Sequence, residues 1–239
     1  MKYLLTLVGL FLMCQMQAQK HQYFSQPMES FSVKKTSYIT LSDGTEIEGT
    51  LKRFKRKKGL IKSIKIKVNG EAIEYLATEI KQMYLPESGI GELGRFLDAA
   101  FDATQWDNTS LNAEYLKDGY AFFESINTQI RKKKEGVVLL QLLNPAFSTS
   151  IKVYHDPFAS ETNAMTVGGF NVVGGADKSY FVKKGAEKAE RVMKKNYEDF
   201  EKMLYGDCQK MKNYLKKQKR LSWSDFPEHV FTYAKDCKE

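Results

Sequence analysis

Between residues 37 and 85 the chain alternates apolar and polar side chains over short runs, and glycine-containing turns interrupt the alternation. Asp43 and Gly44 follow the first run, and Asn69 and Gly70 separate two later ones. Asp-Gly and Asn-Gly pairs favour two-residue hairpin turns, because both central positions of such turns take positive φ. The pattern therefore predicts five short strands in a small curled antiparallel sheet or barrel.

A second antiparallel β-rich part is predicted at residues 119–184, after a glycine-containing linker region at 86–118. Its run 137–143 is almost entirely apolar, as is typical of a strand covered on both faces. The glycines at 168–175 lack the lysine and hydroxyl spacing of a phosphate-binding loop, and they favour a hairpin loop instead.

The period changes after Gly185, where apolar residues recur at helical spacing up to Tyr205. Gly206 suits the end of this long helix, and Asp207 suits the cap of the next. Ser222 or Ser224 is placed to cap a last helix. The sequence thus predicts an α+β protein with a C-terminal three-helix segment at 185–239.

The first 18 residues have the layout of a signal peptide: Lys2, an apolar run over 3–14 and a small residue at Ala18. The apolar run is too short to span a bilayer, which takes about 20 residues. Cleavage after Ala18 would leave a leader over 19–36 that is expected to lie on the surface. A lipid anchor at Cys14 is the alternative. Either way, we expect an exported protein that lies in the periplasm or is associated with the outer membrane and is not transmembrane after signal removal.

Cys208 and Cys237 remain once Cys14 leaves with the signal, and an even pair in an oxidising compartment favours a disulfide. Two free thiols are the alternative. A zinc site is not expected, because His229 is the one histidine near them in the sequence and structural zinc takes four ligands.

The formal net charge of +8 favours acidic partners, although a moderate positive charge also serves solubility. In an exported protein the expected partners are an anionic envelope lipid, a polysaccharide or another envelope protein, and not nucleic acid. Two basic hairpin tips are the candidate binding residues. They are Arg53, Lys55, Arg56, Lys57 and Lys58 in the first tip, and Arg131, Lys132, Lys133 and Lys134 in the second. If both tips pointed the same way, they would form one electropositive edge; otherwise they are solvated tips that discourage aggregation.

Catalytic chemistry finds little support in the sequence. His155 and Asp156 are adjacent, and neighbouring strand residues point to opposite faces, so the two side chains are not expected to cooperate. No nucleophile elbow, zinc-protease helix or calcium loop occurs. We therefore predict no catalytic residue, no metal site and no cofactor.

Several short segments resemble uncharacterised exported proteins of Bacteroidota that have a β-rich N-terminal part and a helical C-terminal tail. The segments are Leu41-Ser-Asp-Gly-Thr-Glu-Ile-Glu-Gly, Glu79-Ile-Lys-Gln-Met-Tyr, Tyr180-Phe-Val-Lys-Lys-Gly, and the stretch from Asn196-Tyr to Gly206-Asp-Cys. The resemblance implies export and this architecture, and it carries no activity or site residue to the chain.

Three functions follow as hypotheses. The first is a non-catalytic cell-envelope binding or scaffold protein of unknown ligand. The second is a protein that binds an anionic envelope lipid or glycan through the basic tips. The third is a hydrolase whose site is assembled from distant residues, with His155 as its base.

Overall fold

The structure is a computed structural model that describes most of the chain beyond residue 22. It describes residues 23–28, 30–88, 110–131, 134–159, 165–167, 170–173, 178–218 and 221–237. The predicted signal peptide, Cys14 and most of the predicted linker region lie outside these residues. Within the described ranges, no helix combines the length and apolarity that crossing a bilayer requires.

Seven antiparallel strands form the main sheet, in the order β4-β3-β2-β1-β5-β6-β7. Their bounds are Thr36–Leu41 (β1), Glu46–Lys57 (β2), Leu60–Val68 (β3), Glu71–Leu76 (β4), Ile80–Pro86 (β5), Tyr120–Arg131 (β6) and Lys134–Gln141 (β7). The sheet curls so that β3 approaches β7. Among the described residues the edge strands β4 and β7 do not pair, so the sheet is open and the barrel alternative is not realised.

The turn at Asn69-Gly70 has the backbone conformation that its residues favour, whereas the β1–β2 connection is a four-residue loop in which only Gly44 takes positive φ. Gly44 has a φ of +89°, between β1 and β2, while Asn69 and Gly70 have φ values of +48° and +95° between β3 and β4. Glycine adopts positive φ without a steric penalty, and asparagine tolerates it. The local sequence therefore fixes these turns.

Alternation along the strands gives the sheet a buried inner face. Ile64 and Ile66 of β3 are fully buried, while Lys67 between Ile66 and Val68 faces solvent. The inner core consists of Ile39, Ile47, Leu51, Ile61, Ile64, Ile66, Ile80, Met83, Leu85, Ala121, Phe123 and Leu139. These residues come from both predicted β-rich parts.

The second β-rich part is thus not a separate sheet at its start, because β6 pairs directly with β5. On the outer face, Leu60 and Tyr84 from the first part share a core with Phe122, Tyr154 and Phe181 from the second. The two predicted β-rich parts therefore have cores in common.

A three-stranded antiparallel sheet packs on this outer face, in the order β12-β11-β8. Its strands are Ile151–His155 (β8), Ser179–Lys184 (β11) and Glu190–Met193 (β12). A separate hairpin pairs Met165–Val167 (β9) with Phe170–Val173 (β10). The prediction of a hairpin loop over the glycine-rich stretch is therefore wrong at Phe170–Val173, which form a strand paired with β9.

The prediction of one long helix between Gly185 and Tyr205 is wrong in its first half. Residues Glu190–Met193 form β12, where Val192 pairs with Tyr180 of β11. A 3₁₀ helix over Lys194–Phe200 follows and continues as a short α-helix over Glu201–Tyr205. Tertiary pairing with β11 overrides a pattern of apolar residues that fits both periods.

The described α-helices are Ala113–Lys117 (α1), Glu201–Tyr205 (α2), Gln209–Lys216 (α3) and Phe226–Asp236 (α4). The last three confirm the predicted C-terminal three-helix segment. Short 3₁₀ turns lie at Pro145–Phe147 and Trp223–Asp225. Cys208, and not Asp207, caps α3, because its sulfur accepts from the backbone N–H of Met211 at 3.4 Å.

A cluster of aromatic rings joins the helices to the small sheet. Trp223 and Phe226 lie nearly parallel, with ring centroids 5.2 Å apart, and both rings pack on Tyr180 of β11. Phe24 reaches the same cluster and is only 7% exposed. The expectation that the whole leader lies on the surface is therefore wrong at Phe24.

Cys208 and Cys237 form the predicted disulfide, which ties the start of α3 to the residue after α4. Beside it, Lys184 donates from Nζ to Asp207 Oδ1 at 2.7 Å, and Tyr233 donates to Asp207 Oδ2 at 2.9 Å. Partial burial raises the pKa of Asp207, but these two hydrogen bonds outweigh it and the net direction is downward. The bridge and the ion pair together hold the C-terminal helices against β11.

Candidate functional site

A groove of about 840 Å³ opens between the end of the three-stranded sheet and the turn that precedes α4. We name it the lysine groove. Its described lining residues are Lys178, Met193, Lys194, Lys195, Tyr197, Glu198, Leu221, Ser222, Trp223 and Ser224. The volume lies in the range of about 300–1,000 Å³ that is usual for small-molecule sites.

Strand pairing brings the lysines of one wall together. Ser179 pairs with Met193, so Lys178 and Lys194 are the next opposed pair, and the backbone N–H of Lys194 donates to the carbonyl of Lys178 at 3.0 Å. Lys195 follows in the 3₁₀ helix. Directly opposed like charges on neighbouring strands are destabilising. This wall therefore concentrates positive charge at a cost to the fold.

These lysines differ from Lys152 and Lys184 of the small sheet, which have carboxylate partners. Lys152 bonds Glu124 at 2.7 Å, and Lys184 bonds Asp207 at the same distance. Among the described residues, no carboxylate forms an ion pair with any of the three groove lysines. Their exposed ammonium groups are thus placed to receive an anion from solution.

The opposite wall is formed by residues 221–224, where hydroxyl and apolar groups alternate. Ser222 Oγ and Ser224 Oγ lie 2.7 Å apart. Leu221 is half-buried, and Trp223 is only 7% exposed because it packs on the ring cluster. The groove is thus lined by three lysines, the carboxylate residue Glu198 and a segment of mixed polarity.

The floor rests on a buried chain of hydrogen bonds. Tyr197, 2% exposed, bonds Tyr205 at 3.0 Å between hydroxyls and His229 Nδ1 at 2.6 Å. His229 Nε2 lies 3.0 Å from Gln218 Oε1. Because an amide oxygen only accepts, the neutral ring donates from Nε2 and accepts at Nδ1 from Tyr197, which in turn accepts from Tyr205.

Burial sets the pKa values in this chain. It raises the pKa of the Tyr197 and Tyr205 hydroxyls, which therefore stay protonated. It lowers the pKa of His229 from its usual 6.5, although Asp225 and Glu228 pull in the opposite direction. These pKa directions agree with a chain of neutral hydrogen-bonded side chains, which we call the buried relay and which holds Tyr197 in place under the groove.

The two basic tips predicted from the sequence lie at opposite ends of the large sheet. β1 starts at Thr36 and runs antiparallel to β2 and β5, so the β2–β3 tip and Pro86 share one end. β6 begins at that end, since Tyr120 pairs with Pro86, and reaches Arg131 at the other. The condition that both tips form one electropositive edge is therefore not met.

Within the first tip, part of the charge is neutralised. Lys55 bonds Glu74 at 2.6 Å, and hydrogen bonds from Lys55 and Ser63 lower the pKa of Glu74. The Arg56 guanidinium lies 4.9 Å from the centre of the Phe54 ring. The remaining residues of this tip, Arg53, Lys57 and Lys58, are exposed.

In the second tip, Arg131 ends β6, Lys134 begins β7, and Lys132 and Lys133 lie outside the described residues.

Asp156 is fully buried. Its Oδ2 accepts from Ser179 Oγ at 2.6 Å and from Arg191 Nε at 2.5 Å, and its Oδ1 accepts from the backbone N–H of Phe158 at 2.9 Å. This carboxylate therefore joins the end of β8 to β11 and β12.

The sequence prediction missed the lysine groove. Lys178 and Lys194 are 16 positions apart, and the helical periodicity after Gly185 predicts one helix, which would not place them side by side. Had residues 190–193 been recognised as a strand, its pairing with β11 would have placed these two lysines side by side.

Among the described residues, no cluster of three or more histidine, cysteine or acidic side chains is arranged to hold a metal. No family model, curated protein or solved structure matches this chain.

Proposed function

We propose that this chain is a non-catalytic binding protein of the cell envelope, and that the lysine groove is its site for an anionic ligand. The observation that carries the proposal is the opposed pair Lys178 and Lys194, facing a large groove beside Lys195 without a carboxylate partner among the described residues. Like charges placed together in a concave site favour an anionic occupant, because the occupant removes their mutual repulsion.

Export is part of this proposal. The signal-like layout of residues 1–18 supports it, and so does the disulfide, since such bonds persist in oxidising compartments. The intact mass of the protein from the envelope of its own host tests it. We expect a chain that begins at Gln19 with the bridge formed; a full-length chain recovered from the cytosol would contradict export.

Binding through the basic tips is the weaker candidate. The tips lie at opposite ends of the sheet, so a single small ligand does not contact both. Each tip remains a separate cationic surface, and the charge of the first is reduced by the Lys55–Glu74 pair. The hydrolase alternative loses its acidic partner, since Asp156 binds Ser179 and Arg191.

Anion binding at the groove is tested by titrating isotope-labelled protein with pyrophosphate and following lysine and Trp223 side-chain NMR signals. We expect saturable shifts of Lys178, Lys194, Lys195 and Trp223. The variant Lys178→Glu/Lys194→Glu should weaken binding about tenfold or more, because each reversal replaces attraction by repulsion.

The matched control is Lys62→Glu/Lys67→Glu. It makes the same change in net charge with two exposed lysines of β3. This control should bind pyrophosphate as the native chain does. Equal loss of binding in both variants, or shifts of similar size at all lysines, would show general charge screening and overturn the proposal.

A further inference from the structure

The groove that binds the anion also has an apolar surface that a phosphate alone would leave uncovered. Met193 and Leu221 are half-buried and line the groove together with Trp223. Water next to such surface is displaced favourably by an apolar ligand group. An occupant that satisfies both surfaces needs a charged end and an apolar body.

The rings at the groove do not offer a stacking face. Trp223 is 7% exposed and packs on Phe226 and Tyr180, while Tyr197 is 2% exposed and meets Trp223 edge to face. Binding of a sugar by stacking needs an open aromatic face, which the described lining residues lack. A flexible alkyl chain needs only a groove with apolar walls.

We propose that the ligand of the lysine groove is an anionic amphiphile: a phosphate or carboxylate head group on a single alkyl chain. The head group lies at Lys178, Lys194 and Lys195, and the chain follows Met193 and Leu221. The inference rests on the proposed function, and it deepens that function by naming the ligand class.

Trp223 supplies a reporter at the site. The chain has two tryptophans, so a Trp106→Phe variant leaves Trp223 as the only one. Its fluorescence is followed during titration of the full mature chain with butyl, octyl and dodecyl phosphate, each kept below its micelle concentration. Affinity should rise at least tenfold from butyl to octyl phosphate, since a fully buried methylene contributes about fourfold.

The two parts of the site are separated by variants in the same background. Lys178→Glu/Lys194→Glu should weaken binding of all three phosphates by a similar factor. Leu221→Ser should weaken octyl and dodecyl phosphate several-fold and leave butyl phosphate unchanged. Lys62→Glu/Lys67→Glu should bind all three as the parent does.

The source of the head group is tested with dodecanoate and dodecanol. Tighter binding of dodecyl phosphate than of dodecanoate favours a phosphorylated lipid, equal binding favours any anionic amphiphile, and both support the class. Dodecanol bound as tightly as either anion would overturn it.

Failure of this inference is distinguishable from failure of the proposed function. Equal affinities along the alkyl series, all lost in Lys178→Glu/Lys194→Glu, would leave an anion site and overturn the amphiphile. No binding of pyrophosphate or of any alkyl phosphate would overturn both.

Discussion

The hairpins of β1 to β4 and the C-terminal half of the chain are built in different ways. In the hairpins, each strand pairs with a strand next to it in sequence, through turns of two to four residues. In the C-terminal half, β11 pairs with β8 across an intervening hairpin, and the aromatic cluster joins Phe24 to Phe226. Local turns determine the first region, and distant contacts determine the second.

This difference has a functional consequence. The lysine groove lies in the region of distant contacts, where Lys178, Tyr197 and Trp223 meet from three separate segments. The basic tips lie on the local hairpins, where sequence alone locates them. The surface found from local pattern thus does not include the residues that line the groove.

Removing the disulfide of the C-terminal region is expected to have the largest effect on stability, and it tests whether this region and the hairpins are stabilised separately. Replacing Cys208 and Cys237 by alanine should cost roughly 3–4 kcal/mol in the chain-entropy account of a loop of this size. The bridge spans 29 positions. The free energy of unfolding in urea measures the loss, and hydrogen exchange should accelerate most in α3 and α4. Equal acceleration throughout β1 to β3 would show that the two regions are not separable in stability.

A smaller effect is expected at the buried relay. His229→Leu removes the acceptor of Tyr197 and should cost about 1–3 kcal/mol at neutral pH, because a buried hydroxyl loses its partner. Urea unfolding of the variant and the native chain measures the difference. A cost near zero would mean that the relay does not hold the groove floor.

The same histidine gives a pH dependence. Burial lowers the pKa of His229 in the folded chain below its usual 6.5, so the unfolded chain takes up the proton first. The contribution of neutral His229 to the free energy of unfolding is therefore fully present above about pH 6.5, and it declines as the pH falls below that value. His229→Leu should lose this part of the dependence, whereas His155→Gln should keep it. A native profile that is flat below pH 6.5 would contradict the assignment.

The smallest effect is expected in a local hairpin. Gly70 has a φ of +95°, and a Cβ added there would meet nothing within 4 Å. Backbone strain is therefore the one source of destabilisation that we expect from Gly70→Ala. We expect a loss of about 1 kcal/mol, and less for Gly70→Asn, which tolerates positive φ better. Urea unfolding measures both. A loss as large as that of the bridge would show that the turn is not an independent local element.

The sequence predicted the strands of the large sheet well because alternation and turn residues act over a few positions. It also predicted the cysteine pair and the three C-terminal helices. It did not predict that β6 continues the first sheet, since strand pairing across residues 87–119 depends on the shared core around Tyr84 and Phe122. Nor did it predict β12, since Ala189, Val192 and Met193 fit a helix as well as a strand.

What the sequence determined by itself is the set of local elements: the hairpins with their positive-φ turns, the alternating faces and the apolar stripes of the last helices. What only the tertiary structure decided is the joining of both β-rich parts in one sheet, the burial of Phe24 and the meeting of Lys178 with Lys194. The reason is physical. Turn and alternation preferences are settled between neighbouring residues, whereas pairing between distant strands is settled by which apolar faces cover one another once the chain is compact.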